Sequence, residues 1–126
     1  MSSIHQFSGD PSKDDFRWKG VKPEIINTEE VQGIIKHILV GPEDGAPNFV
    51  MRYFQVPPGE QTFFHTHDHE HGMLILHGEA QIQIEEELFD LSPLASVFVS
   101  GGDLHRVINT GDEPLGFICV IPRLNA

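Results

Sequence analysis

The chain has 126 residues, with 19 acidic and eight basic side chains and a formal net charge of −11 when histidine is neutral. This length fits one domain with its own hydrophobic core, and a hydrophobic share of 39% argues for a folded chain rather than a disordered one. The acidic balance argues against nucleic acid or an anionic membrane as a partner, since both select clustered Lys and Arg.

Residues 1–30 are polar and interrupted by turn residues, and we expect an extended N-terminal arm there. Phe7, Phe16 and Trp18 are its apolar anchors. Because an exposed tryptophan is unusual on a free terminus, we expect the arm to dock on the rest of the chain or on a second subunit. Residues 31–126 then form a barrel domain.

From Gly33 onward, short apolar runs alternate with turn residues. The runs have strand length and show no 3.6-residue periodicity, a pattern that predicts an all-β sandwich or barrel. Residues 29–36 hold at most one helical turn. The predicted strands, in chain order, are 34–40, 48–56, 62–67, 73–77, 80–84, 88–91, 95–99, 105–109 and 115–121.

Two further features concern the cellular compartment. The first 15 residues, MSSIHQFSGDPSKDD, contain no apolar signal region, and no run approaches the roughly 20 apolar residues of a membrane span. The single cysteine, Cys119, forms no internal disulfide, which is typical of a reducing compartment. We therefore expect a cytoplasmic protein.

Histidines occupy alternate positions in one short stretch and recur once further on. They are His65, His67, His69, His71 and His105. Imidazole is the commonest protein ligand for divalent transition metals, which it binds in its neutral form. The spacing therefore predicts a metal site.

The geometry of a strand limits which of these histidines can share one ion. Alternate side chains lie on one face, so His65 and His67 can both reach it, whereas a straight strand carries His71 roughly 20 Å from His65. The chain must therefore bend between residues 68 and 70. We interpret His69 and Glu70 as bend residues rather than ligands.

From Gly59 the chain reads Gly-x5-His-x-His-x3-His-x6-Gly, and from Gly102 it reads Gly-x2-His-x3-Asn. These blocks resemble the two motifs of the cupin superfamily. The first motif usually has glutamate where this chain has His71. The second usually has proline at the position of Ser100 and glycine at the position of Leu94.

The closer resemblance is to small single-domain cupins with four histidine ligands, some of which bind manganese. It covers residues 33–122 and implies a double-stranded β-helix, or jelly-roll, barrel that holds a metal in its mouth. Carried over residue by residue, the implied ligands are His65, His67, His71 and His105. The alternative is a loose surface site that picks up nickel or zinc.

A second set of side chains is expected to line the pocket beside the metal. Strand alternation gives five of them, the resemblance supports two in the last strand, and Arg52 is the only cation with a claim on the pocket. The predicted pocket residues are Phe63, Met73, Ile75, His77, Val107, Phe117, Cys119 and Arg52. The alternatives are a satisfied core histidine at His77, inert packing at Cys119 and a solvated strand arginine at Arg52.

Four neutral histidines would leave a divalent ion with its full charge, which strengthens it as a Lewis acid. An octahedral ion would keep two open positions, whereas tetrahedral zinc would be closed and structural. We expect one divalent transition metal. The resemblance favours manganese or iron, and nickel, copper and zinc stay open.

The resemblance leaves the reaction open, because one fold hosts many activities. Our first hypothesis is a metal-dependent oxidoreductase of the dioxygenase type that acts on a small, mostly apolar organic molecule. The alternatives are a metal-assisted lyase or isomerase of sugar-like substrates and a non-catalytic binding or sensing protein. No catalytic residue is assigned. We expect a homodimer that binds a small molecule.

Overall fold

The computed structural model describes residues 1–124, and within them the chain is almost entirely strands and loops. Two single turns of 3-10 helix are the only helices in this range. In chain order, the elements are η1 (Pro11–Lys13), β1 (Glu24–Ile26), β2 (Ile34–Val40), η2 (Pro42–Asp44), β3 (Phe49–Val56), β4 (His71–His77), β5 (Ala80–Ile84), β6 (Glu87–Leu91), β7 (Ser96–Val99), β8 (His105–Asn109) and β9 (Leu115–Pro122). The predicted all-β class is confirmed.

Two antiparallel sheets form the jelly-roll barrel. The larger has the strand order β1-β2-β3-β9-β4-β7, and the smaller has the order β6-β5-β8. Burial alternates along the strands, as in β4, where Met73 and Ile75 are buried while Gly72 and Leu74 are exposed. The core between the sheets consists of Val31, Ile34, Val56, Met73, Ile75, Ala80, Ile82, Val99, Val107, Leu115, Phe117 and Cys119.

The predicted arm contributes a strand that the sequence did not indicate, β1, which pairs with β2 at the edge of the larger sheet. The structure departs from the predicted elements in two further places. The predicted strand 62–67 is not continuous and meets β8 only in isolated bridges. The Thr62 hydroxyl accepts a hydrogen bond from the Val107 N–H at 2.9 Å, so a side chain interrupts the backbone hydrogen-bond ladder to β8. No helical turn forms at 29–36, because the Thr28 hydroxyl accepts from the Glu30 and Val31 N–H groups and β2 begins at Ile34. No described helix is long and apolar enough to cross a membrane.

The N-terminal arm folds back onto the outer face of the larger sheet through its three aromatic anchors. Phe16 stacks on Tyr53 with ring centroids 5.1 Å apart, and Trp18 meets His37 edge-on at 5.4 Å. Phe7 packs against both Phe16 and Trp18, at 5.6 and 5.3 Å. Tyr53 is fully buried and His37 is 3% exposed, so the arm completes a second, smaller packed layer within the same chain.

Beneath the arm, Tyr53 and His77 form a hydrogen-bonded pair. The Tyr53 hydroxyl lies 2.6 Å from His77 Nε2, and His77 Nδ1 lies 3.1 Å from the Pro114 carbonyl oxygen. Because a carbonyl only accepts, Nδ1 carries the proton and Nε2 accepts from the tyrosine. The imidazole lies directly over Gly116, where any side chain would collide with the ring. A neutral histidine is therefore built into this layer.

We expect the free energy of unfolding to fall as the pH is lowered from 7 to 5, and His77 to contribute to this fall. Burial lowers the pKa of His77, against smaller opposing effects of Pro114 and the Asp14 carboxylate. In the unfolded chain this histidine takes up a proton near pH 6.5, whereas in the folded chain it does so only at a lower pH. Its stabilisation is therefore complete above pH 6.5 and is lost below it, by at most about 1.4 kcal/mol per pH unit.

The measurement is urea unfolding at pH 7, 6 and 5 in the presence of a chelator, on the wild type and on His77→Gln. The variant should show a shallower dependence on pH, since the other histidines contribute equally to both proteins. Equal slopes would show that His77 has no part in the acid sensitivity.

Candidate metal centre

Five histidines come together at one end of the barrel, the four predicted ligands and His69, whose ring lies 5.0 Å from that of His67 and 4.9 Å from that of His71. His71 begins β4 and His105 begins β8, while His65 and His67 lie on the loop between β3 and β4. Ring centroids are 4.6 Å apart for His71 and His105, 5.5 Å for His67 and His71, 6.0 Å for His67 and His105, and 6.4 Å for His65 and His67. The structure thus groups the four residues that the sequence predicts as ligands.

Hydrogen bonds between two loops hold this grouping together. The Gly102 N–H donates to the His67 carbonyl at 2.6 Å, and the Thr66 hydroxyl donates to the Gly102 carbonyl at 2.8 Å. Gly101 touches the Asp68 carbonyl so closely that a β-carbon could not fit. The chain also bends at residues 68–69, as the spacing predicts. Gly101 therefore lets the histidine loop approach the β7–β8 loop, and the backbone of Gly102 holds it there.

His105 and His71 each offer a ring nitrogen whose lone pair is available for a metal ion. His105 Nδ1 donates to the Asp103 carbonyl at 2.9 Å, which leaves Nε2 with a free lone pair. Burial, followed by the charge of His105, lowers the pKa of His71 to about 3, so this imidazole is neutral at pH 7. His71 Nδ1 is buried and has no hydrogen-bond partner among residues 1–124.

His65 contacts a carboxylate that sequence reasoning missed. His65 Nε2 lies 3.4 Å from Glu30 Oε1, and Glu30 Oε2 accepts from the Phe64 N–H at 3.0 Å. Glu30 stands in the arm region, far from the histidine motif in sequence, so no local spacing indicates it. The contact brings one acidic group to the mouth of the barrel.

The side chains are not arranged around a common point in this conformation. Within residues 1–124, no three His, Cys, Asp or Glu side chains are placed so that they could hold a metal ion. His65 faces Glu30, and His67 stacks on His69 at 5.0 Å. The donor chemistry nevertheless fits a divalent transition metal, because neutral imidazole is its common ligand. Rotation of His65 and His67 would be needed to bring the four rings onto one ion.

Most of the predicted pocket residues lie in the interior behind the histidines. Met73, Ile75, Val107, Phe117 and Cys119 are at most 7% exposed, and the half-buried Phe63 packs against them. Phe54, which the sequence did not single out, stacks on Phe117 with ring centroids 5.4 Å apart. The interior next to the histidines is thus apolar.

His77 is not part of this interior. The pairing of β4 with β9 shifts register between Ile75 and His77, so the alternation that relates His71 to Ile75 does not continue. His77 instead meets Tyr53 and Phe16 on the outer face of the sheet. The prediction that His77 faces the pocket is therefore wrong. A bulge of this kind cannot be recognised from the sequence.

Arg52 does lie in the interior. Its guanidinium donates to Cys119 Sγ at 3.1 Å and stands 4.9 Å over the ring of Phe54. Its Nε is buried and has no partner among the described residues. Burial raises the pKa of the Cys119 thiol, with a smaller opposing effect of Arg52. Arg52 thus places an unpaired positive charge next to a neutral thiol.

The matching family model is described as a cupin domain and covers residues 52–121, more than half of the chain. The chain belongs to the cupin family. Cupin domains commonly bind a metal ion, and the matched segment contains all four predicted ligands. Membership shows the fold and leaves the metal and the reaction to be determined.

Several proteins of known sequence or structure are similar to this chain. A 1-methylthio-D-xylulose 5-phosphate methylsulfurylase from Rhodospirillum rubrum is 26% identical over 88% of this chain and 72% of its own length. A crystal structure of a cupin-2 domain from the same organism has a TM-score of 0.76 at 27% identity, over 87% of this chain and 78% of that one. A polyketide cyclase from Streptomyces resistomycificus has a TM-score of 0.74 at 26% identity, over 82% of this chain and 74% of that one.

Proposed function

We propose that this cupin is a metal-dependent enzyme of the four-histidine, manganese type. Its ligands would be His65, His67, His71 and His105, holding one divalent ion, with manganese or iron favoured. The observation that carries the proposal is the grouping of four imidazoles, 4.6–6.4 Å apart in four of their pairs, at the mouth of an apolar interior. A bound ion would supply a Lewis acid for a substrate oxygen atom.

The reaction that we favour acts on a small, sugar-like carbonyl compound, as an isomerase or lyase does. Two observations support this choice over a purely apolar substrate. Arg52 supplies an unpaired cation inside the barrel. The name of the Rhodospirillum rubrum relative specifies a phosphorylated ketose, at 26% identity over 88% of this chain.

Glu30 is the candidate base for such a reaction. Isomerases and lyases of this class begin by breaking a C–H bond beside a carbonyl group. The electron pair moves toward the carbonyl oxygen and the proton passes to a base. Glu30 Oε1 is 3.4 Å from His65 and the Phe64 N–H fixes its other oxygen, so its carboxylate stands beside the proposed ligands.

A dioxygenase-type oxidoreductase is the second candidate. The apolar lining formed by Met73, Ile75, Phe54 and Phe117 favours it, because that lining suits a small hydrophobic substrate. A protein that retains a ligand without converting it is the third possibility, and the tests below separate the three.

Metal binding is expected to depend on His71 and not on its neighbour His69. Protein treated with a chelator should bind one Mn²⁺ or Fe²⁺ per chain in an anaerobic titration. His71→Ala should weaken binding more than about 100-fold, since loss of a ligand exceeds the cost of losing an outer partner. His69→Ala, a control from the same loop, should change affinity by less than about threefold. Equal effects of both variants would contradict the assigned ligand set.

Catalysis is expected to appear as metal-dependent exchange of substrate hydrogen with solvent. A panel of aldose and ketose phosphates in D₂O, followed by NMR, detects proton removal beside the carbonyl. Glu30→Gln should slow this exchange about 100-fold, the usual contribution of a general base, whereas Glu29→Gln serves as the matched control. Oxygen uptake by the reduced metal protein with enols, diketones or alkenes would favour the dioxygenase instead. Tight binding without either activity would indicate a binding protein.

We also propose that two copies associate through an apolar row on the outer face of the larger sheet. Across β3, β9, β4 and β7, one outward row consists of Met51, Val120, Gly72 and Phe98. Phe98 is 64% exposed. Because each chain carries a net charge of −11, two copies meet with least repulsion where charged side chains are missing from the surface. A two-fold interface places the same face on both partners.

The expected mass in light scattering is twice the chain mass of 14.1 kDa. Phe98→Asp should convert the dimer to a monomer, because it introduces a charge into the interface. Leu88→Asp, at a residue that is 56% exposed on the other sheet, is the control and should remain dimeric. A wild-type chain that is monomeric at micromolar concentration would refute this assembly.

A further inference from the structure

A basic cavity opens beside the interior of the barrel. Its volume is about 400 Å³, and its lining consists of Lys36, Arg52, Arg123 and apolar side chains, with no Asp or Glu. The whole chain has only eight Lys and Arg against 19 Asp and Glu. Three of those eight cations thus line one cavity and reverse the charge of the chain locally. Such a cavity attracts anions.

Arg52 is the most constrained of the three cations. Among residues 1–124 it forms no ion pair, its Nε is buried without a partner, and its hydrogen bond goes to the Cys119 sulfur at 3.1 Å. A guanidinium whose hydrogen bond goes to one weak sulfur acceptor retains strong donors for an oxyanion. This unsatisfied state is what a ligand would relieve.

Arg123 and Lys36 line the same cavity, and each makes only a weak interaction with the rest of the protein. Arg123 donates to the Ala46 carbonyl at 2.9 Å, and within the described chain it has no acidic partner. Lys36 lies 3.7 Å from Glu24, whose side chain is 64% exposed, and exposed pairs of this kind are weak. Lys36 also borders a neighbouring cleft that contains Glu24, Glu43 and Asp44, so its charge is partly offset.

The cavity lies within reach of the histidine cluster. Arg52 pairs with Cys119 across β3 and β9, and Cys119 pairs with Met73 across β9 and β4. Two such steps span about 10 Å. His71 stands two residues before Met73, on the same face of β4. With the two-residue step along β4, the backbone positions of Arg52 and His71 are about 12 Å apart. Because both side chains extend into this gap, a molecule of five or six carbon atoms reaches from the cations to the histidines.

We propose that Lys36, Arg52 and Arg123 bind the phosphoryl group of a small phosphate monoester, whose other end reaches the histidine cluster. This site would define the substrate class of the proposed enzyme, and its role in catalysis rests on that proposed function. The anion site itself does not depend on the metal. A phosphoryl group carries close to two negative charges and three acceptor oxygens, which matches three cations that line one cavity. A carboxylate needs only one arginine and leaves two of the cations unused.

The experiment measures binding of inorganic phosphate and of glycerol 3-phosphate to the metal-free full chain by calorimetry at low salt. Arg52→Gln and Arg123→Gln should each weaken binding about tenfold, since a hydrogen bond to a charged group is worth about one factor of ten. Lys36→Gln should weaken it less. Arg106→Gln is the matched control, because Arg106 donates to Gln83 and Gln61 on the other sheet. Circular dichroism of each variant checks that it is folded.

Each outcome bears on the proposal in a defined way. Selective loss in the Arg52 and Arg123 variants, with tighter binding of glycerol 3-phosphate than of acetate, supports it. Binding of acetate or malonate that equals binding of phosphate overturns the phosphoryl assignment. No saturable binding, or the same loss in Arg106→Gln, overturns the site. Failure of metal binding with intact phosphate binding would refute the proposed enzyme and leave this anion site standing.

Discussion

The contact between the histidine loop and the β7–β8 loop is the constraint on which the candidate site depends. The Gly102 N–H bonds to the His67 carbonyl at 2.6 Å, and Gly101 leaves room for the Asp68 carbonyl. The space at Gly101 and the hydrogen bond of Gly102 hold a bent, irregular segment against the end of β8, which His105 begins. A side chain at Gly101 would separate the loops and disperse the histidines. The barrel supplies rigid strand ends, and the loop contact determines which side chains meet there.

The interior of this acidic protein contains a positive charge, that of Arg52. Arg52 is half-buried among apolar side chains, so its guanidinium interacts more strongly with its surroundings than it would on the surface. Its hydrogen bond to the Cys119 sulfur is a weak substitute for an anion. The histidine cluster and the three cations that line the neighbouring cavity give the interior two chemically different regions. A small molecule with an oxygen donor and an anionic group matches both.

Sequence reasoning predicts the strands and the histidine set because both are encoded locally. Alternating apolar residues mark the strands, and the bend that the histidine spacing requires occurs at residues 68–69. The backbone at Leu94 is also determined locally. Leu94 adopts φ 75°, the left-handed conformation, at the position where the family motif usually has glycine. Glu30, Lys36 and Arg123 could not be predicted, because folding brings them to the site from distant positions. His77 was misplaced because the register shift after Ile75 reverses its side of the sheet.

The most direct test of the metal assignment is anomalous X-ray diffraction from crystals of untagged protein, purified without added metal or chelator. We expect one anomalous peak per chain, bonded to nitrogen atoms of His65, His67, His71 and His105, with absorption at the manganese or iron edge. A fully occupied chain with a zinc edge and four closed ligands would make the centre structural. A peak bound by His69 in place of one of these four, or no peak in protein that turns over substrate, would contradict this assignment.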